Sequence, residues 1–203
     1  MDEFPSLAGQ ALIAMPSIGD PRFERTVIYL CVHDKHGAMG IVVNRPEPAQ
    51  TVGDVLGELG LMDNDGRSSD DGASLDETLQ SRLDARVLLG GPVEKTRGFV
   101  LHSPDVLERD GTVAVTDDIH LSTKMDVLRD ISLGQGPGQF LLALGFANWG
   151  EGQLDQEILQ NAWLHAPMGA KALFETPSEL HYAASLSNLG VDVTKLSPVA
   201  GRG

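Results

Sequence analysis

Short apolar runs closed by glycine or proline constrain the fold of this chain more than any other feature of its sequence. Val27–Val32 reads VIYLCV and residues 40–43 read GIVV, and polar residues interrupt neither run. Continuous β-branched runs of this length are typical of strands covered on both faces. A polar turn ending at Gly37 separates them, so we predict a hairpin over residues 27–44. Asn44-Arg45-Pro46 should end its second strand, because proline cannot donate to a β-ladder.

The other segments mix strands and helices in an irregular order. The predicted strands are Gln10–Ala14, Arg86–Leu89, Gly98–Ser103, Val113–Thr116 and Gln139–Phe146. The predicted helices start at Thr51, which opens a capping box with Asp54; near Ser122, with a cap at Thr123; at Gln153, running to about Trp163; and at Thr176, running to Gly190. Because the order does not repeat as βαβ units, it favours one mixed-sheet α+β domain over residues 1–203 with flanking helices.

Residues 63–82 differ in composition from the rest of the chain. Carboxylates dominate the segment, and Arg67 is the one base within residues 63–77. We predict a solvated acidic loop inserted between elements, and a frayed, flexible tail over residues 197–203. Calcium is the functional alternative for the acidic loop. The EF-hand spacing with its closing glutamate is absent, so we predict no metal site.

The charge and the cysteine content indicate which cell compartment and which kinds of binding partner to expect. The formal net charge is −14, which disfavours direct binding to nucleic acid or to an anionic membrane. Cys31 is the single cysteine, and no apolar run approaches the roughly 18 residues that span a bilayer. We therefore expect a cytoplasmic protein that does not enter a membrane. The densest basic pairs, Arg22 with Arg25 and Lys95 with Arg97, are interpreted as solvated surface charge.

No motif predicts a reaction. The glycine loop at 147–152 lies between a strand and a helix and could hold an anion. However, Glu151, Asp155 and Glu157 would repel a phosphate there, so the loop more simply lets Trp149 pack or contact a partner. Cys31, inside an apolar strand, is interpreted as an inert small hydrophobe. We therefore predict no catalytic residue and no cofactor.

Several segments, taken together, resemble the AlgH/YqgE family of bacterial proteins over roughly residues 6 to 195. The segments are Ala14-Met15-Pro16-Ser17 with Asp20-Pro21 and Phe23; Gly37 to Pro46; Gly90-Gly91-Pro92-Val93; Arg97 to Ser103; and Gly145-Phe146-Ala147 with Trp149-Gly150, Gly152-Gln153-Leu154 and Asn161-Ala162-Trp163. The resemblance implies one α+β domain with an irregular, bifurcated sheet in the bacterial cytoplasm. It also implies a link to transcriptional regulation, notably of alginate production. It assigns no catalytic residue.

Our first functional hypothesis is a non-catalytic regulatory or binding module that acts through a protein or small-ligand partner. Its contact surface would consist of polar residues at strand ends, namely Asn44, Arg45, His102 and Trp149.

The alternative is an enzyme or sensor for a small anionic molecule. Arg45, Arg97 and His102 would bind the anion if the strand ends at Asn44 and Ser103 converge. That hypothesis requires the three side chains to lie within about 12 Å of one another and to line one concavity. A third reading is an assembly factor whose exposed apolar surface forms oligomers.

Overall fold

The computed structural model describes residues 5–62, 77–106 and 110–191. The strands are β1 (Gln10–Ala14), β2 (Val27–Asp34), β3 (Gly37–Val42), β4 (Pro46–Thr51), β5 (Arg86–Leu89), β6 (Val93–His102), β7 (Thr112–Ala114), β8 (His120–Ser122), β9 (Phe140–Trp149) and β10 (Trp163–Pro167). The helices are α1 (Val52–Glu58), α2 (Glu77–Leu83), α3 (Met125–Ser132), α4 (Gln153–Leu159), α5 (Ala170–Glu175) and α6 (His181–Asn188). No helix in these ranges is long and apolar enough to cross a membrane.

The strands form one sheet that branches at β9. Its main path runs β10-β1-β2-β3-β9-β6-β8-β7, with antiparallel neighbours throughout. Ala143 of β9 pairs with Phe99 of β6 and, in parallel register, with Leu88 of β5. Further along β9, Ala147 pairs instead with Gly40 of β3. The predicted α+β fold with an irregular, bifurcated mixed sheet is therefore confirmed.

Both faces of the central strands are buried, as the uninterrupted apolar runs predict. Along β2, Val27, Tyr29 and Cys31 belong to a core cluster that also contains Leu173, Tyr182 and Leu186 from α5 and α6. Ile28 and Leu30 point the other way, into a cluster with Leu154 of α4 and both tryptophans. A strand with period-two side chains needs apolar residues at every position when helices cover both of its faces.

The helix at Thr51 begins as predicted. The Thr51 hydroxyl accepts a hydrogen bond from the Asp54 N–H (3.1 Å), and the Asp54 carboxylate accepts one from the Thr51 N–H (2.8 Å). This reciprocal box satisfies two N–H groups that the first helical turn leaves free. Strand β3 ends at Val42, before Asn44-Arg45-Pro46. Pro46 is then the first residue of β4, a strand that the sequence did not predict. Proline is tolerated at the first residue of a strand.

Three predicted helix boundaries are wrong, each for a tertiary reason. The segment near Ser122 is strand β8, and α3 begins at Met125 without a side-chain cap. The helix from Gln153 ends at Leu159, because the following residues form edge strand β10 against β1. The predicted helix from Thr176 to Gly190 is a 3₁₀ turn followed by α6, which starts only at His181, and α5 precedes it.

The acidic segment also differs from its prediction where the structure describes it. Residues 77–82 belong to helix α2 rather than to a loop, and Leu79 and Leu83 on this helix are buried. They pack in a cluster with Val55, Leu56 and Ile131 from the neighbouring helices, which explains why the segment is ordered as a helix. Residues 63–76 and the predicted tail over 197–203 lie outside the described residues.

Candidate functional site

The glycine motifs place two backbone segments in direct contact. A Cβ on Gly91 would overlap the backbone of Phe146 and Ala147, and a Cβ on Gly90 would overlap the carbonyl oxygen of Gly145. Gly90 also donates its N–H to Leu144 and accepts a hydrogen bond from the Val42 N–H, both at 2.8 Å. Only residues without side chains permit this approach. The turn between β5 and β6 is thereby held against β9 and β3, beside the Asn44-Arg45 segment.

The side chains of Asn44 and Arg45 bind the backbone at the start of β2 and just before it. The Asn44 side chain accepts a hydrogen bond from the Val27 N–H and donates one to the Arg25 carbonyl oxygen, both at 2.8 Å. Arg45 donates through Nη2 to the Glu24 carbonyl oxygen at 2.8 Å. Arg25 itself has a positive φ of 52°, a backbone state that such external hydrogen bonds help to hold. Asn44 is therefore a structural clamp, and Arg45 is anchored at one of its nitrogens.

A pocket of about 220 Å³ lies between these segments. We call it the cationic pocket; its lining residues are Arg22, Phe23, Val42, Arg45, Leu89, Gly91, Pro92, Lys95 and Leu144. Three of these side chains are cationic, none is acidic, and most of the others are apolar. One member of each basic pair that the sequence analysis assigned to solvated surface, Arg22 and Lys95, thus joins Arg45 in one concavity.

The three cations differ in how their charge is compensated. Arg22 forms an exposed ion pair with Asp20, with 2.7 Å between Nη2 and Oδ2, and this contact lowers the pKa of the Asp20 carboxyl. Among the described residues, neither Arg45 nor Lys95 lies within ion-pair distance of a carboxylate. In a chain of net charge −14, this pocket therefore brings together two cations that have no carboxylate partner among the described residues.

A second, larger cavity of about 410 Å³ adjoins the cationic pocket. We call it the apolar cleft. It lies between α1, β6 and α3, and Lys95 and Leu144 line both cavities. Its apolar lining residues are Val55, Leu59, Val100, Met125, Leu128, Leu142 and Leu144. Its polar lining residues are Gln50, Glu58, Lys95, Thr96, Ser122, Thr123 and Lys124.

His102 lies in a buried polar network that the sequence analysis missed. Its Nδ1 is 2.8 Å from the Ser103 carbonyl oxygen, which can only accept, so the proton is on Nδ1. Nε2 therefore accepts from the Ser122 hydroxyl at 2.9 Å, and Ser122 in turn accepts from Thr112 at 2.6 Å. Burial lowers the pKa of His102, so the ring is held neutral. The three side chains come from β6, β8 and β7, and no local sequence pattern connects them.

This network does not have the properties of a nucleophile and its base. His102 is 1% exposed and Ser122 is 3% exposed. Burial of both side chains keeps a substrate from the Ser122 hydroxyl oxygen, even though this hydroxyl donates to His102 Nε2 as a catalytic serine would. The adjacent cavity, about 20 Å³, has room for a single water molecule. His102 is therefore a satisfied core residue rather than part of an exposed contact surface.

Ser103 and Arg97 have local structural partners. Ser103 hydrogen-bonds Asp105 and the backbone of Gln139, which fastens the glycine-rich connection before β9. Arg97 forms an exposed ion pair with Glu94 at 3.0 Å, and its guanidinium lies 5.3 Å from the centroid of the Phe99 ring. Neither residue lines any of the three cavities.

Trp149 is in the interior, 5% exposed, and does not reach the surface as a contact residue would. Its Nε1 donates to Glu157 Oε2 at 2.9 Å, and Trp163 Nε1 donates to the same oxygen at 2.8 Å. The two indoles meet edge to face with their centroids 5.9 Å apart. Glu157, which the sequence analysis treated as a charge repelling phosphate, is the shared acceptor of two buried donors.

Of the six residues that the sequence suggested for a binding surface, only Arg45 lines the cationic pocket; the six are Asn44, Arg45, Arg97, His102, Ser103 and Trp149. The alternative hypothesis needed Arg45, Arg97 and His102 in one concavity, and none of the three cavities contains two of them. Within the described ranges, no three His, Cys, Asp or Glu side chains are grouped so as to hold a metal ion. Cys31 is buried, and burial raises the pKa of its thiol to about 12, which makes it unreactive.

Comparison with known proteins identifies the family. A family model described as AlgH-like matches residues 11–194. UPF0301 proteins of Paracoccus denitrificans and Rhodospirillum rubrum are each 44% identical to this chain; the alignments cover 99% of both chains for the first, and 96% of this chain and 93% of the relative for the second.

Two solved structures are similar to this chain. The solution structure of AlgH from Pseudomonas aeruginosa is 37% identical, with a TM-score of 0.72 and full coverage of both chains. A crystal structure of a Corynebacterium diphtheriae protein, at 17% identity, shares the fold with a TM-score of 0.64 and covers 93% of this chain and 90% of its own. The chain therefore belongs to the AlgH-like family.

Proposed function

We propose that this AlgH-like protein is a non-catalytic binding module that holds a small anionic ligand in the cationic pocket and acts as a regulator through ligand occupancy. One observation supports this proposal above the others. Arg45 and Lys95, which have no carboxylate partner among the described residues, line one pocket of an otherwise strongly acidic protein. An anion there would be attracted by these two cations.

The arrangement of Arg45 favours binding over simple solvation. Its hydrogen bond from Nη2 to the Glu24 carbonyl fixes one end of the guanidinium, which leaves its other N–H groups as oriented donors. A fixed fork of donors matches a carboxylate or phosphate group and loses less side-chain entropy on binding. The neighbouring Phe23, Val42 and Leu144 side chains displace water, which strengthens the attraction between opposite charges.

The chemistry of the lining supports binding rather than catalysis. The side chains of the cationic pocket are cationic or apolar, and none of them is a carboxylate, histidine or thiol that could exchange a proton or attack a substrate near neutral pH. The buried Ser122–His102 pair lies in another cavity and has its hydrogen bonds satisfied. A ligand in the cationic pocket would therefore be held unchanged.

The remaining parts of the proposal follow from composition. The net charge of −14 disfavours direct contact with nucleic acid, so regulation would act through a protein partner that senses the occupied pocket. A single buried cysteine is consistent with a place in the cytoplasm.

The test is calorimetric titration with inorganic phosphate, a phosphomonoester and a dicarboxylate, in wild-type protein and two pocket variants. We expect saturable, salt-sensitive binding of at least one anion, weakened tenfold or more in Arg45→Gln and in Lys95→Gln. Lys95 is exposed, so its variant should fold even if loss of the Arg45 anchor disturbs the turn. Arg97→Gln, which removes the same charge outside all three cavities, is the control. Equal affinity in all four proteins, or no binding by any anion, would contradict the proposal.

A further inference from the structure

We infer that the ligand is an anionic amphiphile, with its charged head in the cationic pocket and its apolar chain in the apolar cleft. This inference rests on the proposed function for the head group. It adds the chemical class of the ligand: one soluble molecule carrying a carboxylate or phosphate at the end of a linear hydrocarbon chain.

The two cavities have a common wall. Lys95 on β6 and Leu144 on β9 line both of them. A lysine suits such a junction, because its aliphatic stem can lie along apolar surface while its ammonium group meets an anion. A molecule bound at the Lys95 ammonium group thus lies at the border of the apolar cleft.

The lining of the apolar cleft is suited to hydrocarbon. Leu59, directly after α1, and Met125, the first residue of α3, are large apolar lining residues that are about half exposed, at 43% and 47%. Val100 of β6 and Leu142 of β9 also line it. Its volume of about 410 Å³ falls within the roughly 300–1,000 Å³ range of small-molecule sites, whereas the cationic pocket alone, at about 220 Å³, falls below it.

The charges indicate an anionic head and a soluble ligand. Lys95 and Lys124 outnumber Glu58 among the charged residues of the apolar cleft, and Arg45 adds positive charge at the end occupied by the head. A cationic amphiphile would be repelled there. The net charge of −14 would repel an anionic membrane surface. A single anionic molecule carries far less charge than a membrane, so it would be repelled much less.

The experiment is a calorimetric series of straight-chain carboxylates from acetate to decanoate, each below its micelle concentration. Burying one methylene group stabilises a complex by about 0.8 kcal/mol, so we expect affinity to rise about three- to fourfold per CH₂ until the cleft is full. Met125→Gln should flatten this rise for the longer chains and leave the binding of inorganic phosphate unchanged. Leu159→Gln, at a residue 81% exposed on α4 and away from the cleft, is the matched control and should behave as wild type.

The outcomes separate the two proposals. Phosphate binding that depends on Lys95, together with carboxylate affinities that do not change with chain length, would contradict the proposal of an amphiphilic ligand. It would still support an anion site in the cationic pocket. Binding of octanol or octylammonium as tight as that of octanoate would contradict the proposal that the head group is anionic. Binding of anionic vesicles in preference to monomeric octanoate would contradict the proposal that the ligand is a single soluble molecule. Failure of every anion to bind would overturn both proposals.

Discussion

Removing the Glu157 carboxylate should destabilise the fold far more than its position on a short, partly exposed helix implies. Both indole N–H groups donate to Glu157 Oε2, and Gln153 donates to Oε1 at 2.8 Å. Trp149 and Trp163 are 5% and 2% exposed, so Glu157→Ala leaves two buried donors without an acceptor. Each such donor costs about 1–3 kcal/mol. We therefore expect a loss of about 2–6 kcal/mol, against a total stability of about 5–15 kcal/mol for a typical domain.

Intrinsic fluorescence is the appropriate assay, because the chain contains only these two tryptophans. Urea unfolding followed by fluorescence reports on the site itself, and far-ultraviolet circular dichroism checks that the whole domain unfolds with it. Glu157→Gln keeps one acceptor oxygen and loses only the charge assistance, so it should cost about 1 kcal/mol. Glu151→Ala, an exposed carboxylate in the same connection, is the control.

Free energies of unfolding within about 0.5 kcal/mol of each other for Glu157→Ala and Glu151→Ala would contradict the role of Glu157 as the shared acceptor. That result would mean that the indole N–H groups find water or another acceptor without cost.

Three further predictions concern the core. Ser122→Ala removes the hydroxyl that bonds His102 Nε2 and should cost about 1–3 kcal/mol in urea unfolding, whereas an alanine at an exposed serine should cost little; equal losses would contradict the buried network. Burial lowers the pKa of both His102 and His181, so each ring binds its proton more readily in the unfolded chain. The free energy of unfolding should therefore be fully present above about pH 7 and fall as the pH drops below about 6.5; urea midpoints that stay constant from pH 7.5 to 5 would contradict this. Gly91→Ala should prevent normal folding or lower the melting temperature by more than 10 °C, since its Cβ would overlap the Phe146 backbone; a melting temperature near that of wild type would show that the two segments can separate.

Local features of the fold were accessible to sequence reasoning. The hairpin of β2 and β3 is joined by a short polar turn, so its pairing depends on neighbouring residues. The capping box at Thr51 spans only one helical turn. The apolar run in β2 predicted burial on both faces, and the structure confirms it.

Features set by distant residues were not accessible. The predicted helix runs from Gln153 to about Trp163, yet Trp163–Pro167 is a strand that pairs residue by residue with β1 near the other end of the chain. This pairing buries Trp163 and Ala166, and that gain outweighs the weak preference of a short segment for helix.

The candidate site shows the same division. The sequence identified Arg22 and Lys95 as members of basic pairs, and it identified Arg45 as a strand-end residue. It had no means of joining them, because their proximity depends on the contact between Gly90-Gly91 and β9. The glycines that carry the family resemblance are thus fold requirements, and Gly91 also lines the cationic pocket.

The most direct test of the anion-binding proposal is a titration of ¹⁵N-labelled protein with inorganic phosphate, followed by amide chemical shifts. We predict saturable shifts concentrated at residues 22–23, 42–45 and 89–95, abolished in Lys95→Gln and retained in Arg97→Gln. Shifts spread evenly over the surface, or an unchanged response in Lys95→Gln, would contradict it.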